Sequence, residues 1–160
     1  MNKIIIGIIV VALLVVVGVL MFKSPKAKET GGSSSNSTGS NQPESLVAGD
    51  ISMKDAVATL YYGNGCPHCA NIEKWLQDNK YLPAGDAITQ SAIDSWISGA
   101  KVKFNIREVW YNKDNSAELS SKATSCGLSS DQTGVPFLYD SANNKCIVGE
   151  TDIETFLSSK

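Results

Sequence analysis

Val57-Ala58-Thr59-Leu60-Tyr61-Tyr62 is a short run apolar on both faces of a strand, stopped by Gly63-Asn64-Gly65 directly before Cys66-Pro67-His68-Cys69. Such a run fits a central strand, buried on both sides in a sheet that helices cover. A helix should then start at Cys66, with Pro67 in the first turn, where its missing N–H costs nothing. Cys69, Ile72 and Leu76 follow at spacings of three and four and share one face. A strand, a tight turn and a helix that opens on a dithiol point to an α/β domain with two cysteines at the end of a strand.

The rest of the domain follows from periodicity. Pro83 and Gly85 break the chain, and Asp86–Ile97 carries a helical pattern through Ile88, Ala92, Ile93, Trp96 and Ile97. Val102, Phe104 and Ile106 alternate with Lys103, Asn105 and Arg107, predicting a half-buried strand on to about Trp110. Asp114–Cys126 reads as a helix with Leu119, Ala123 and Cys126 on one face and Gly127 as its stop. Val135–Tyr139 and Lys145–Val148 read as a hairpin, and Thr151 with Glu154 as a capping box opening a last helix. Charged residues such as Glu73, Lys74 and Asp78 read as a solvated helix face. The order is β-α-(α)-β-α-β-β-α. Strands separated by helices suggest parallel pairs and the hairpin adds an antiparallel one, giving a four-stranded mixed sheet.

The chain is 160 residues long, so one modest domain with appendages is expected. Its hydrophobic residues are unevenly placed, with 18 among the first 22 positions. Ile4–Phe22 is 19 residues without a charge, which as a helix would reach roughly 28 Å, about the thickness of a bilayer core. It has no polar face and no small-x-small cleavage site after it, so residues 1–22 read as a retained transmembrane anchor. Residues 23–49 read as a flexible Ser/Gly/Asn-rich linker with a root-mean-square reach of roughly 30 Å, and residues 50–160 as the folded domain. Lys23, Lys26 and Lys28 after the anchor favour a cytoplasmic domain by positive-inside counting, but long domains cross membranes largely regardless of charge. The cysteine chemistry favours an oxidising compartment, so the domain is placed outside the cytoplasm. A net charge of −2, with no other basic block, argues against nucleic acid as the main partner.

A C-x-x-C pair at a helix start has a definite chemistry. Unpaired N–H groups and the positive end of the helix favour a thiolate at Cys66, the nucleophile of thiol–disulfide exchange. His68 adds positive charge or a donor beside it, and Cys69 is placed to attack a mixed disulfide. No metal is expected. His68 is the only histidine, and Cys126 and Cys146 stand alone 57 and 77 residues after Cys69, whereas structural zinc wants four ligands, commonly as two paired knuckles. A purely structural 66–69 disulfide would close too short a loop to stabilise much.

Strand–CPHC–helix, followed by Thr133-Gly134-Val135-Pro136-Phe137 at the start of a strand, resembles the thioredoxin-like superfamily. The Pro67-His68 dipeptide and Gly134-Val135-Pro136 resemble DsbA-type oxidases. The resemblance covers roughly Val57 to the C-terminus and implies a three-layer fold on a minimal, glutaredoxin-sized core, with one extra helix inserted after the active-site helix. It implies that Pro136 is cis and faces the dithiol, and that Val135 offers its backbone to a bound peptide. Many relatives carry a buried acid six residues before the first cysteine; here that position is Leu60.

Cys126 and Cys146 are left as a disulfide closing about 20 residues, as two buried free thiols, or as a second redox pair. Trp110 and Tyr111, at a strand end, could line a peptide groove or pack the rim of the core. The expected activity is thiol–disulfide oxidoreduction without a cofactor, on cysteine-containing exported proteins, with a separate redox partner resetting the dithiol. The rival readings are a membrane-tethered soft-metal-binding or chaperone-like module, with thiolates holding an ion such as Cu(I), and a cytoplasm-facing reductase.

Overall fold

In the computed structural model the described residues are 45–160. The expected anchor, 1–22, and nearly all of the linker lie outside them. Among the described residues no helix is long and apolar enough to cross a membrane. The elements run β1 (Ala58–Tyr62), α1 (Pro67–Asp78), α2 (Gln90–Trp96) with a 3-10 turn at Ile97–Gly99, β2 (Phe104–Glu108), α3 (Lys113–Ser125), a 3-10 turn at Ser130–Gln132, β3 (Phe137–Asp140), β4 (Lys145–Val148) and α4 (Glu150–Ser158). This is the expected order of strands and helices in an α/β domain.

The four strands lie in the order β2-β1-β3-β4. β1 pairs parallel with β2, Leu60 opposite Ile106, and antiparallel with β3, Tyr61 opposite Phe137. β3 and β4 form the expected hairpin, with Tyr139 opposite Cys146. The helix-linked strand β3 is therefore antiparallel to β1, against the simple rule that a helix between strands makes them parallel. The reason lies in the connection. α3 starts at the end of β2 and runs down the sheet, and residues 126–136 carry the chain back up before β3 begins. That return brings Pro136 to the end of β1 where the cysteines are.

Alternation along the strands splits the core in two. Leu60, Tyr62, Phe104, Ile106 and Leu138 pack on one side with Cys69, Ile72 and Leu76 of α1, Ile93 of α2, and Ile153 and Leu157 of α4. Tyr61 and Phe137 point the other way, against Leu119 and Ala123 of α3, their rings edge to face at 5.9 Å. Burying apolar faces on both sides of one sheet is what fixes these helices to it.

Several boundaries move. Ser45–Val47, assigned to the linker by composition, packs on the domain: Val47 is buried and bridges to Ile88, and Ile51 bridges to Ile106. Because Ile88 is extended to meet Val47, the second helix starts at Gln90 rather than Asp86, capped by Thr89 Oγ1 on the Ala92 N–H at 3.2 Å. The last helix starts at Glu150 behind Gly149, whose φ of +93° suits glycine, so Thr151 lies inside the helix and caps nothing. Asn112 caps α3, its side-chain oxygen accepting the N–H groups of Asp114 and Asn115.

Candidate functional site

Cys66 closes the turn after β1 and is the N-cap of α1. Its Sγ accepts the backbone N–H of Cys69 at 3.3 Å, the bond a serine or aspartate oxygen makes at most helix starts. Its thiol also lies 3.8 Å from the Val135 carbonyl oxygen, which accepts from it. The Val135–Pro136 peptide bond is cis. The two sequence-distant halves of the expected site, Cys66-Pro67-His68-Cys69 and Val135-Pro136, are thus side by side. Cys66 and Cys69 are free thiols. Cys66 keeps 6% of its surface exposed and Cys69 none. Burial, then the hydrogen bond with Cys66, pushes the Cys69 thiol well up.

The turn leading into Cys66 is built around Trp110. A Cβ at Gly63 would lie 2.3 Å from the Trp110 ring, so only glycine lets the indole lie against the turn. Glu108 binds the same turn to the neighbouring loop. One carboxylate oxygen accepts from the N–H groups of Asn64 (3.2 Å) and Trp110 (2.8 Å), the other from those of Tyr111 (2.8 Å) and Asn112 (3.1 Å). Four N–H donors on one nearly buried carboxylate make a rigid frame under the dithiol.

His68 is exposed and turned to α4. Its Nδ1 lies 3.0 Å from Glu150 Oε2, which also accepts from Asn71 Nδ2 at 3.2 Å. Pro67 is exposed at the first turn, beside Cys66. The second cysteine pair is a disulfide, Cys126–Cys146, with Cα atoms 6.1 Å apart. It joins the end of α3 to the outermost strand, on the far side of β3 from Cys66.

Trp110 and Tyr111, expected together, go to different places. Trp110 lines a groove of about 320 Å³ with Leu119, Ala123, Leu128 and Val135. Tyr111 lines a larger cavity with Asp50, Glu108 and Ser45. Val135 is also a wall of a third hollow, shared with His68, Pro136 and Glu150.

Glu73 overturns its expectation. Its charge predicts a solvated face shared with Lys74 and Asp78, which are exposed and paired at 3.0 Å. Glu73 is instead fully buried. Ser45 Oγ donates to both its oxygens, at 2.7 and 2.9 Å, and the Leu46 N–H to one of them at 2.7 Å. Burial pushes its carboxyl above the usual range against those hydrogen bonds. Spacing carried the signal. Glu73 is four residues after Cys69 and three before Leu76, on the stripe that Cys69 and Leu76 define. Glu108 likewise continues the inward phase of Phe104 and Ile106.

No protein-family model, no curated protein and no solved structure matches the chain.

Proposed function

We propose that the domain is a thioredoxin-like thiol–disulfide oxidoreductase, with Cys66 as nucleophile and Cys69 as resolving thiol. The observation that carries this reading is the placing of Cys66 Sγ at the start of α1, on the N–H of Cys69 and against the Val135 carbonyl. A sulfur held by an N–H at the positive end of a helix is suited to carry negative charge, which is the reactive form. Cys69, three residues along and out of solvent, is suited to attack only a sulfur already bonded to Cys66. His68 sets the charge beside Cys66 and is held by Glu150. Pro67 fixes the first turn of the helix.

Val135 offers its carbonyl beside the nucleophile, and Pro136 has no N–H to compete for the sulfur. An extended peptide laid along Val135 would bring its cysteine to Cys66. The Trp110 groove and the His68–Glu150 hollow lie on either side of Val135, where the residues flanking that cysteine would sit. Both are open at the surface, as a protein client requires.

In the same reading, Ile4–Phe22 anchors the chain in a membrane and the domain works outside the cytoplasm on exported proteins. A second redox protein exchanges electrons with Cys66–Cys69, and no cofactor takes part. The Cys126–Cys146 disulfide supports the oxidising compartment.

The test is direct. The full chain is equilibrated in glutathione buffers and the redox state of Cys66 and Cys69 read by mass, alongside turnover of a disulfide substrate such as insulin. Reversible 66–69 oxidation and Cys66-dependent turnover are expected. A chain that exchanges no disulfide, and binds Cu(I) at the pair instead, would replace this reading with a metal-holding module.

A further inference from the structure

We infer that β4 is an interface for a second copy of this chain, which pairs antiparallel with it across a twofold axis and joins the two sheets into one. The inference starts from the phase of the hydrogen bonds along β4, an outer strand with only β3 beside it. The Gly149 N–H donates to the Pro136 carbonyl at 2.9 Å, and on the other side of β3 the Ser141 N–H donates to the Val57 carbonyl at 3.0 Å. Alternation between those two bonds turns the backbone groups of Leu138 and Asp140 towards β4, where they meet Ile147 and Lys145. The backbone groups of Cys146 and Val148 therefore point away from the sheet, and among the described residues they make no hydrogen bond. The opposite edge differs: there Ile51 takes both backbone bonds of Ile106. One edge is closed and the other is left open to pair.

The open edge lies in a groove whose ends differ in charge. All four residues of β4 line a hollow of about 530 Å³, with Leu128 on the α3 face of the sheet and Asp152 and Phe156 of α4 on the other. Lys145 opens the strand at one end, its Nζ 5.3 Å from the centre of the Phe156 ring. Asp152, in the first turn of α4, stands at the other end with Val148. Both charges are exposed, and among the described residues neither has an ion-pair partner.

A second copy meets these features together. Set Cys146 opposite Val148 of the second copy, and each of the two resulting pairs exchanges both backbone bonds, with Ile147 opposite Ile147 on the axis. The neighbouring twofold registers fail. They set Val148 opposite Asn144, at φ +49° in the turn, or Cys146 opposite Glu150, already in the helix. The axis stands perpendicular to the sheet, so α4 of both copies lies on one face. The basic end of each groove then meets the acidic end of the other, Lys145 against Asp152, twice. Any extended chain could satisfy the backbone groups; the reversed order of charge is what selects a second copy. Val148 and Asp152 also line the hollow shared by His68, Val135 and Pro136, so Lys145 of the second copy stands at the rim of that hollow.

The experiment is sedimentation equilibrium of the full chain in a neutral, density-matched detergent at low ionic strength. The parent should dimerise. Lys145→Glu and Asp152→Lys each set like charges against one another twice, and each should raise the dimer dissociation constant roughly tenfold. An equimolar mixture of the two variants, and the chain carrying both substitutions, restore opposite charges at both ends and should regain the parent's constant. A parent that stays monomeric would overturn the proposal. So would single variants that dimerise as the parent does, the result expected if Ile4–Phe22 alone held the copies together. Hydrogen exchange on the parent needs no variant. Between dilute and concentrated chain the Cys146 and Val148 amides should gain protection, while that of Ile147, already facing β3, should not change. Protection that appears only on adding an unfolded, cysteine-bearing protein would assign the edge to a client and overturn the second copy.

Discussion

Cys66 Sγ accepts the backbone N–H of Cys69 at 3.3 Å, so the first sulfur of the pair caps the helix that buries the second. The two thiols are chemically unlike because of one hydrogen bond and one turn of helix. A reagent from solvent should therefore find them in order. Limited alkylation of the reduced chain should label Cys66 before Cys69 at every pH below about 8, read by peptide mass. Cys69→Ala should accumulate mixed disulfides with clients and Cys66→Ala should not. Labelling of Cys69 first would reverse the assignment of nucleophile and resolver.

Glu108 should matter more to stability than an acid at a strand end normally does. Glu108→Ala leaves the N–H groups of Asn64, Trp110, Tyr111 and Asn112 without their carboxylate. Hydrogen bonds to a charged group are worth about 1.5–3 kcal/mol each, and water will recover part of them, so a loss of about 3 kcal/mol is expected in urea unfolding. Hydrogen exchange at those four amides should accelerate first. A change within about 0.5 kcal/mol would show the frame to be dispensable.

Gly63→Ala puts a methyl into the Trp110 ring. The indole is half exposed and can swing away, so the expected cost is modest, about 1–2 kcal/mol. Client exchange should slow, because the groove wall beside Val135 moves with the indole. Adding Trp110→Ala should restore the stability lost to Gly63→Ala. If the double variant is no more stable than Gly63→Ala alone, the clash is not the cause.

The Cys126–Cys146 disulfide closes a loop with a sequence separation of 20. Replacing both cysteines by alanine should lower stability by about 3 kcal/mol, the chain-entropy value for such a loop. Turnover at Cys66 should persist at temperatures where the variant stays folded. Loss of turnover in a folded variant would favour the second-redox-pair alternative.

Glu73 also sets a pH dependence of stability. Its folded-state carboxyl is raised above the unfolded value, with burial the first cause. Its contribution is therefore fully present below the unfolded value, near pH 4.5, and is lost as pH rises through the folded one. Glu73→Gln should remove that decline, and its advantage over the parent in urea midpoint should grow between acid and neutral pH. Parallel pH curves for the two chains would refute the raised carboxyl.

The order of elements was legible because each depends on its own periodicity. Ala58–Tyr62, the cysteine helix and the Lys145–Val148 strand were all visible in local pattern. What was hidden depends on partners far along the chain. Ile88 fits a helical stripe in sequence but is drawn out straight by Val47, forty-one residues earlier. Glu73 and Glu108 lie on inward phases; charge alone placed Glu73 on the surface, and Glu108 carried no reading at all. Their neighbours across the fold, Ser45 and the 109–112 loop, are what make burial tolerable, and no local pattern names those. The opposition of Val135 and Cys66 depends on the return of residues 126–136, which spacing does not encode; the resemblance to thioredoxin-like proteins supplied it.

The bridge between Ile51 and Ile106 has a consequence for self-association. An outer strand such as β2 normally presents a row of free N–H and C=O groups, an invitation to another chain. Here Ile51 takes both backbone bonds of Ile106, at 2.9 Å each. Arg107 caps the Ile51 carbonyl at 2.8 Å, and the Gln90 amide clasps both backbone groups of Ser52. At Ile106 the edge is closed by the backbone of Ile51, and side chains hold that segment in place. Under the proposed exchange function, client chains brought to Cys66 would thereby be kept from adding to the sheet along this side.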